Sequence, residues 1–370
     1  MAERTLELLP RELQQVRLKS SLSPPWDAVD LLLASIRITA TAGTAAGIDP
    51  GRPQVPAFGR RLYRLSAGFS GGAGRAVQSR PPIRLKLREL GARPRRSVVS
   101  SNYEAAYDDW LGTLMRTPVA AVTLDYDGTV VSTEGRYQLP ADNVRRELNR
   151  LLDGSAVIGF ASGRGDSLYQ DLRRWVPKRR WPQVHLGLYN GAVLVRLDEE
   201  LSERDGRENP FSDAEKRLAS LPMFGELSVF DRHYQLQITP KDPSAVSISG
   251  LAGIVTAVLR RPPPLPLEVV MSAHSLDVLP AASTKVTLLE RVVEVAGGEA
   301  LAIGDQGQLG GNDFALLAAQ ELTLSVDRCS PDPTRCWRLV VPLSGPNALC
   351  RYLAALEPAS NGLRFRWRAS

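Results

Sequence analysis

Apolar and polar positions along the chain fall into two textures. From Val119 onward, short apolar runs end in polar, glycine-bearing turns, and each is followed by a segment of helical spacing. VAAVTLDYDG runs into a helix predicted over 141–153. AVIGFASGRG runs into one near 166–175, and VHLGLYNGAVLV reads as a third strand. The alternation returns late, with LDVLP, a helix over 284–296, ALAIGDQG and a helix over 312–320. Strand–turn–helix repetition of this kind predicts an α/β protein, a Rossmann-like parallel sheet with crossover helices. Residues 198–280 interrupt it. They carry a helical pattern over 212–220, the strand-like YQLQI, a helix over 243–260 and the strand-like LEVVMSA, with the stiff turn RPPPLP between the last two. This reads as an inserted α/β cap. The core is then 101–197 with 281–358, and 359–370 is a tail.

The first hundred residues have a different texture. Asp27 to Ile38 has helical spacing and Tyr103 to Leu114 forms an amphipathic helical pattern. Between them lie glycine- and proline-rich stretches such as GFSGGAG. No run approaches ~18 consecutive apolar residues, so no membrane-spanning helix and no membrane partner is expected. MAERTLELLPRELQQ lacks the apolar core of a secretory signal. Three cysteines, Cys329, Cys336 and Cys350, are too few for a disulfide framework, and with no nearby His or Cys pair they read as structural thiols. A reducing cytoplasm is the expected location.

Charge changes the picture of that N-terminal stretch. The 370-residue chain nets +6, yet Arg60 to Arg96 alone carries eleven basic side chains against one acid, Glu89. The excess belongs to one arm. A solvated, extended linker is the plain reading, with a domain boundary near residue 100 and a fold that survives without the arm. A docking surface for a protein partner is the sharper one. Nucleic acid is disfavoured, because no aromatic residue is interleaved after Tyr63 and Phe69.

Four polar clusters fall at strand or helix ends, where ligands sit in open α/β sheets. Asp125-Tyr126-Asp127-Gly128-Thr129 places two carboxylates at i and i+2. Like charges this close imply a divalent cation, a division of labour between acid and base, or both. Ser162-Gly163-Arg164-Gly165 offers a hydroxyl and backbone N–H groups at a helix start, a cradle for phosphate. Lys285 opens a later helix and can neutralise a phosphate or a nucleophilic carboxylate. Gly304-Asp305, followed by Asn312-Asp313, supplies a further carboxylate for a magnesium site.

In this order and spacing, across about residues 119–355, the clusters resemble the haloacid dehalogenase-like hydrolase superfamily, in the sugar-phosphatase branch with a large α/β cap. Asn190-Gly191-Ala192 just before the insertion fits that branch. The resemblance implies hydrolysis of a small phosphorylated metabolite, a sugar phosphate, with Mg2+ as cofactor. Asp125 would form an aspartyl-phosphate and Asp127 would act as acid and then base. Ser162 and Lys285 would hold the phosphoryl group, with Gly163, Arg164 and Thr129 about it and Thr129 supporting the turn. Asp305 would bind the cation with Asp125 and the backbone carbonyl of Asp127, and Asp313 would complete that acidic set. Gln306 to Gly311 lengthens the last motif and leaves the roles of Asn312 and Asp313 open. From the cap, Arg232, His233, Gln235 and His274 would read the leaving group. The same intermediate serves a phosphotransferase or mutase, and a regulatory binding module with a basic docking arm is the reading from another class. GIDPGRPQVPAFGRRLYRL at 47–65 resembles the tail of sugar-isomerase-type domains fused ahead of such phosphatases. Ser330 to Trp337 is expected to form a surface loop.

Overall fold

The computed structural model describes residues 18–23, 26–47, 80–91, 98–201, 209–242, 245–271 and 275–367. His274, the glycine-rich stretch at 68–74, nearly all of 47–65 and most of the basic arm lie outside them. The chain divides into two compact units, Met1–Ala76 and Val77–Ser370.

In the first unit, helix α1 (Trp26–Ala46) is fully formed, and Trp26, Val29, Leu32, Leu33 and Ile36 are exposed along it. With a mean hydropathy of 1.2 it is long and apolar enough to cross a membrane, by length and composition. The sequence expectation differed because Asp27, Asp30 and Arg37 break any continuous apolar run while leaving the average high.

The second unit opens with α2 (Pro81–Glu89) and α3 (Val98–Arg116), followed by β1 (Pro118–Val119) and β2 (Ala121–Asp125). Then come α4 (Asp142–Asp153), β3 (Val157–Ala161), α5 (Asp166–Trp175), β4 (Val184–Leu188) and β5 (Val193–Arg196). The insertion holds α6 (Ser212–Ala219), β6 (Leu227–Asp231), β7 (Leu236–Pro240), α7 (Ile248–Leu259), β8 (Leu267–Met271) and β9 (Leu276–Pro280). The chain closes with α8 (Lys285–Ala296), β10 (Ala300–Gln306), α9 (Phe314–Ala318), β11 (Thr323–Arg328), α10 (Gly345–Ala354), β12 (Leu356–Ala359) and β13 (Gly362–Phe365).

The main sheet has the order β11-β10-β2-β3-β4-β5, parallel except for β5, which returns antiparallel beside β4. Burial on both faces explains why β2, β4 and β10 read as nearly unbroken apolar runs. VHLGLYNGAVLV is thus two strands, hinged at Tyr189–Gly191, where Tyr189 and Asn190 both adopt positive φ. Gly191 also has φ +94°, and a Cβ there would come 2.1 Å from the Thr284 carbonyl oxygen, so only glycine lets this turn close against the start of α8.

The insertion is a separate layer. Its four strands, β6-β7-β9-β8, are all antiparallel and share an apolar core with α6 and α7 that includes Phe211, Leu218, Ile238, Leu251, Val255 and Val278. LDVLP is β9 of this sheet and not part of the parallel one; a five-residue apolar strand reads alike in either setting.

Three further expectations are corrected. Of the segment expected as a tail over 359–370, the described residues 359–367 are not one, because β13 pairs with β1 and β12 and buries Leu363 and Phe365. Ser330–Trp337 is not a surface loop: Ser330, Cys336 and Trp337 are buried, and Tyr107 packs edge-on against Trp337 at 5.0 Å. The boundary near residue 100 also moves. Ile83, Lys86 and Leu87 of α2 are buried in this unit, and Arg80 pairs with Glu104 at 3.0 Å and Asp108 at 2.6 Å on α3. The Lys86 ammonium donates to the carbonyls of Asp332 and Arg335 and lies 4.9 Å from the Trp337 ring centroid. Burial holds its pKa below the usual lysine range.

Deleting residues 1–76 should therefore leave the thermal unfolding of the remaining unit intact. Beginning the chain at residue 101 should lower the melting temperature sharply. Each of Ile83 and Leu87 contributes about 1.5–3 kcal/mol by burial, and loop 330–337 would lose the Lys86 cation. Calorimetry on the two truncated proteins distinguishes these outcomes.

Candidate active site

Three adjacent parallel strands, β10, β2 and β3, end side by side, and each delivers a polar residue there. Asp125 ends β2, Ser162 follows β3, and Asp305 lies near the end of β10. Lys285 is the first residue of α8, whose N-cap Thr284 accepts from Val286 N–H. The Lys285 ammonium donates to Asp125 Oδ1 at 2.6 Å and Asp313 Oδ1 at 2.6 Å, with all three side chains buried.

The lengthened segment after Asp305 still brings Asp313 into the site. Asp313 N–H donates to the Gln306 carbonyl, and Asp313 Oδ2 accepts from Asp305 N–H at 2.9 Å and Gln306 N–H at 3.1 Å. Asp313 thus ties down the end of β10, and Asn312 beside it lines a cavity. Gly128, at φ +91°, makes the first motif fit this arrangement: a Cβ there would come 2.3 Å from Asp305 Oδ2.

Ligand oxygens of Asp125, Asp305 and Asp313 lie within 4.8 Å of one another. Three carboxylates against one ammonium leave the cluster two charges negative, and burial makes that expensive. The shifts follow. Burial, then Asp313, pushes Asp125 well above the carboxylate range. Burial and Asp313 push Asp305 up to about 8. Burial would raise Asp313 as well, but the Lys285 ammonium outweighs it and holds Asp313 low. Burial would lower Lys285, yet Asp125 and Asp313 keep it above its ordinary range. Asp125 Oδ2 and Asp305 Oδ1 are buried with no hydrogen-bond partner. The orphaned Asp305 Oδ1, in an overcharged cluster, fits a ligand of a hard divalent cation, and Asp125 Oδ2 is left bare beside it.

The Asp127 carboxylate is not in this cluster. Its Oδ2 accepts from Ser162 Oγ at 2.8 Å, and Arg164 Nη1 is 3.9 Å from its Oδ1. Ser162 Oγ also accepts from Arg164 N–H, so the serine orders its own turn. Thr129 is fully buried and lines neither cavity described below.

Between the strand ends and the insertion lies a cavity of about 640 Å³, with a second of about 330 Å³ adjoining it through Asp127, Arg136, Met271 and Asn312. Gly163, Arg164 and Asp127 face the larger cavity from the core, and Arg232, Gln235 and Asp277 face it from the cap. The insertion is therefore a roof over the strand ends. His233 turns at the hairpin tip with φ +69° and lies outside both linings. Gln235 Nε2 donates to the Gly163 carbonyl at 3.2 Å, and the Tyr234 ring packs tilted against Tyr189 at 5.1 Å, joining cap to core.

Sequence reasoning did not single out Arg136, Tyr189 or Asp277. A lone acid within the apolar LDVLP was the available signal for the last. Burial pushes Asp277 up to about 6, tempered by Asn190, Lys285 and Arg232.

The parallel sheet, the inserted four-stranded sheet and the carboxylates at the strand ends define a capped α/β fold. No protein-family model matches the chain, and no curated protein matches it. Solved structures do. A trehalose-6-phosphate phosphatase from Aspergillus fumigatus is 17% identical, over 67% of this chain and 96% of that one, with a TM-score of 0.45. The IMP-nucleotidase of Plasmodium falciparum is 11% identical over 74% and 78%, with a TM-score of 0.47. A haloacid dehalogenase-like hydrolase from Bacteroides thetaiotaomicron is 17% identical over 56% and 88%, with a TM-score of 0.41.

Two outcomes follow from the charge balance. Lys285→Met should destabilise the protein by about 3–5 kcal/mol in denaturant titrations, because two buried carboxylates lose their counter-ion. Asp305, raised from 3.8 to about 8, favours folding while protonated, so that contribution is complete below about pH 4 and disappears as pH rises through about 8. Chelator-treated protein should melt at progressively lower temperature across that window. Magnesium should raise the melting temperature more at its alkaline end than at its acidic end.

Proposed function

We propose that this chain is a phosphatase of the haloacid dehalogenase-like hydrolase superfamily. On this reading it releases phosphate from a small phosphorylated metabolite, a sugar phosphate, through an aspartyl-phosphate on Asp125. The observation that carries the reading is the asymmetry of that carboxylate. Lys285 engages Oδ1, while Oδ2 is buried without a partner, two residues before an acid that faces the cavity. A carboxylate held by one oxygen and bare at the other is oriented as a nucleophile.

Asp125 Oδ2 attacks phosphorus and the bond from phosphorus to the leaving oxygen breaks. Asp127, held by Ser162, acts as the general acid and gives a proton to that oxygen. Water then attacks phosphorus, Asp127 takes its proton back, and Asp125 departs as the free carboxylate with release of phosphate. Lys285 and the Ser162–Gly163 turn bear on the phosphoryl oxygens. Asp125 and Asp305, braced by Asp313, would hold Mg2+, which supplies charge neutralisation for those oxygens. The cap excludes water and reads the leaving group.

Phosphate release should require magnesium and be abolished by Asp125→Asn with the fold retained; full activity in EDTA, or an active Asp125→Asn protein, defeats the proposal. Asp127→Asn should cost ~10²–10⁴-fold in kcat, and less with an aryl phosphate, whose leaving group needs no proton. Steady-state assays on an aryl and an alkyl phosphate compare the two losses.

A further inference from the structure

The larger cavity carries cationic side chains that the phosphoryl chemistry does not use, alongside the carboxylates Asp127, Asp166 and Asp277. Three guanidiniums line it: Arg136, Arg164 and Arg232. Arg164 is committed, with Nη2 on Asp171 at 2.5 Å, Nη1 on the Arg136 carbonyl at 2.8 Å and Nε on Ser167 Oγ at 3.1 Å. Among the described residues, Arg136 and Arg232 have no carboxylate within 4.0 Å. Each is instead set by an aromatic neighbour. Arg136 lies 4.8 Å from the Tyr137 ring centroid and Arg232 lies 5.3 Å from that of Phe230, with one further bond from Arg232 Nη2 to Gln237 Oε1 at 3.3 Å. Such contacts orient a guanidinium while leaving most of its five donors free.

The two arginines reach the cavity from opposite sides. Arg136 belongs to the segment between β2 and α4, in the core. Arg232 belongs to the hairpin between β6 and β7, in the cap. Its N–H donates to the Gln235 carbonyl at 2.9 Å, in the same hairpin that Gln235 and Tyr234 fasten to Gly163 and Tyr189. Arg232 is therefore held over the cavity by the join between cap and core.

On the phosphatase reading the phosphoryl group at Asp125 would have Lys285, the Ser162 turn and a cation held by the acidic cluster for its charge. From the two remaining guanidiniums we infer that the leaving group carries a second anionic group, a carboxylate or another phosphate, bound by Arg232 with Arg136. The substrate is then an acidic phosphorylated carbohydrate and not a neutral sugar monophosphate. The forked guanidinium matches both anions in geometry. This rests on the phosphatase reading for what occupies Asp125, but it can be tested by binding alone.

The test uses full-length Asp125→Asn protein with magnesium and calorimetric titration of two matched pairs. One pair is 6-phosphogluconate against glucose 6-phosphate, and the other is fructose 1,6-bisphosphate against fructose 6-phosphate. The more acidic member of at least one pair should bind about tenfold more tightly, a normal gain for a charge-assisted bidentate contact. The pair that shows it identifies the anion as carboxylate or phosphate. Arg232→Gln on the same background should shrink the preference to about twofold or less, and Arg232→Lys should keep part of it. Equal affinity within both pairs, no binding of any of the four, or a preference that survives Arg232→Gln overturns the inference. Wild-type protein that binds these sugars and releases no phosphate from any of them defeats the phosphatase reading and leaves the binding comparison standing.

Discussion

Burying three carboxylates around one ammonium is the constraint on which this architecture turns. Asp125, Asp305 and Asp313 are held within 4.8 Å of one another, and among the described residues Lys285 alone opposes them. Desolvation of this kind costs several kcal/mol per ion unless each charge finds a partner. The fold meets the demand piece by piece. Adjacent parallel strands fix Asp125 and Asp305, the first residue of α8 supplies Lys285, and two backbone N–H groups of β10 satisfy Asp313. The charge left over is what a divalent cation there would neutralise. The same excess leaves one oxygen of Asp125 bare.

Other parts of the molecule support that cluster at a distance. A Cβ at Gly307, two residues after Asp305, would come 2.4 Å from Cys336 Sγ, so the loop at 330–337 packs directly behind the acidic site. That loop is in turn held by Lys86 and Trp337. A helix drawn from the basic arm is thereby coupled by packing to the end of β10. On the opposite side, the hairpin carrying Gln235 and Tyr234 links the cap to the Ser162 turn, so the roof and that turn share one support.

What the sequence made legible was local. Asp125, Asp127, Ser162, Lys285 and Asp305 each sit at the end of an apolar run or the start of a helix, and a strand end is visible from a few neighbouring residues. The roof over those ends was legible as an interruption of the alternation. What was hidden depends on partners far away in sequence. Lys86 counts as one more solvated charge until two carbonyls near residue 333 and the face of Trp337 take it up. The composition of Ser330–Trp337 suits a surface loop, but Trp337 fills a slot against α3. Asp277 lies in an apolar strand that reads the same in a parallel core or an antiparallel cap, and only the sheet order shows that it faces the cavity.

The claim at the centre is that Asp125 becomes covalently phosphorylated. Acid quenching during turnover, borohydride reduction and peptide mapping test it directly, because reduction converts an aspartyl-phosphate to homoserine. The account predicts homoserine at position 125 alone, dependent on substrate and absent from protein treated with chelator. Phosphate release accompanied by an unmodified Asp125, or by reduction at another carboxylate, would contradict it.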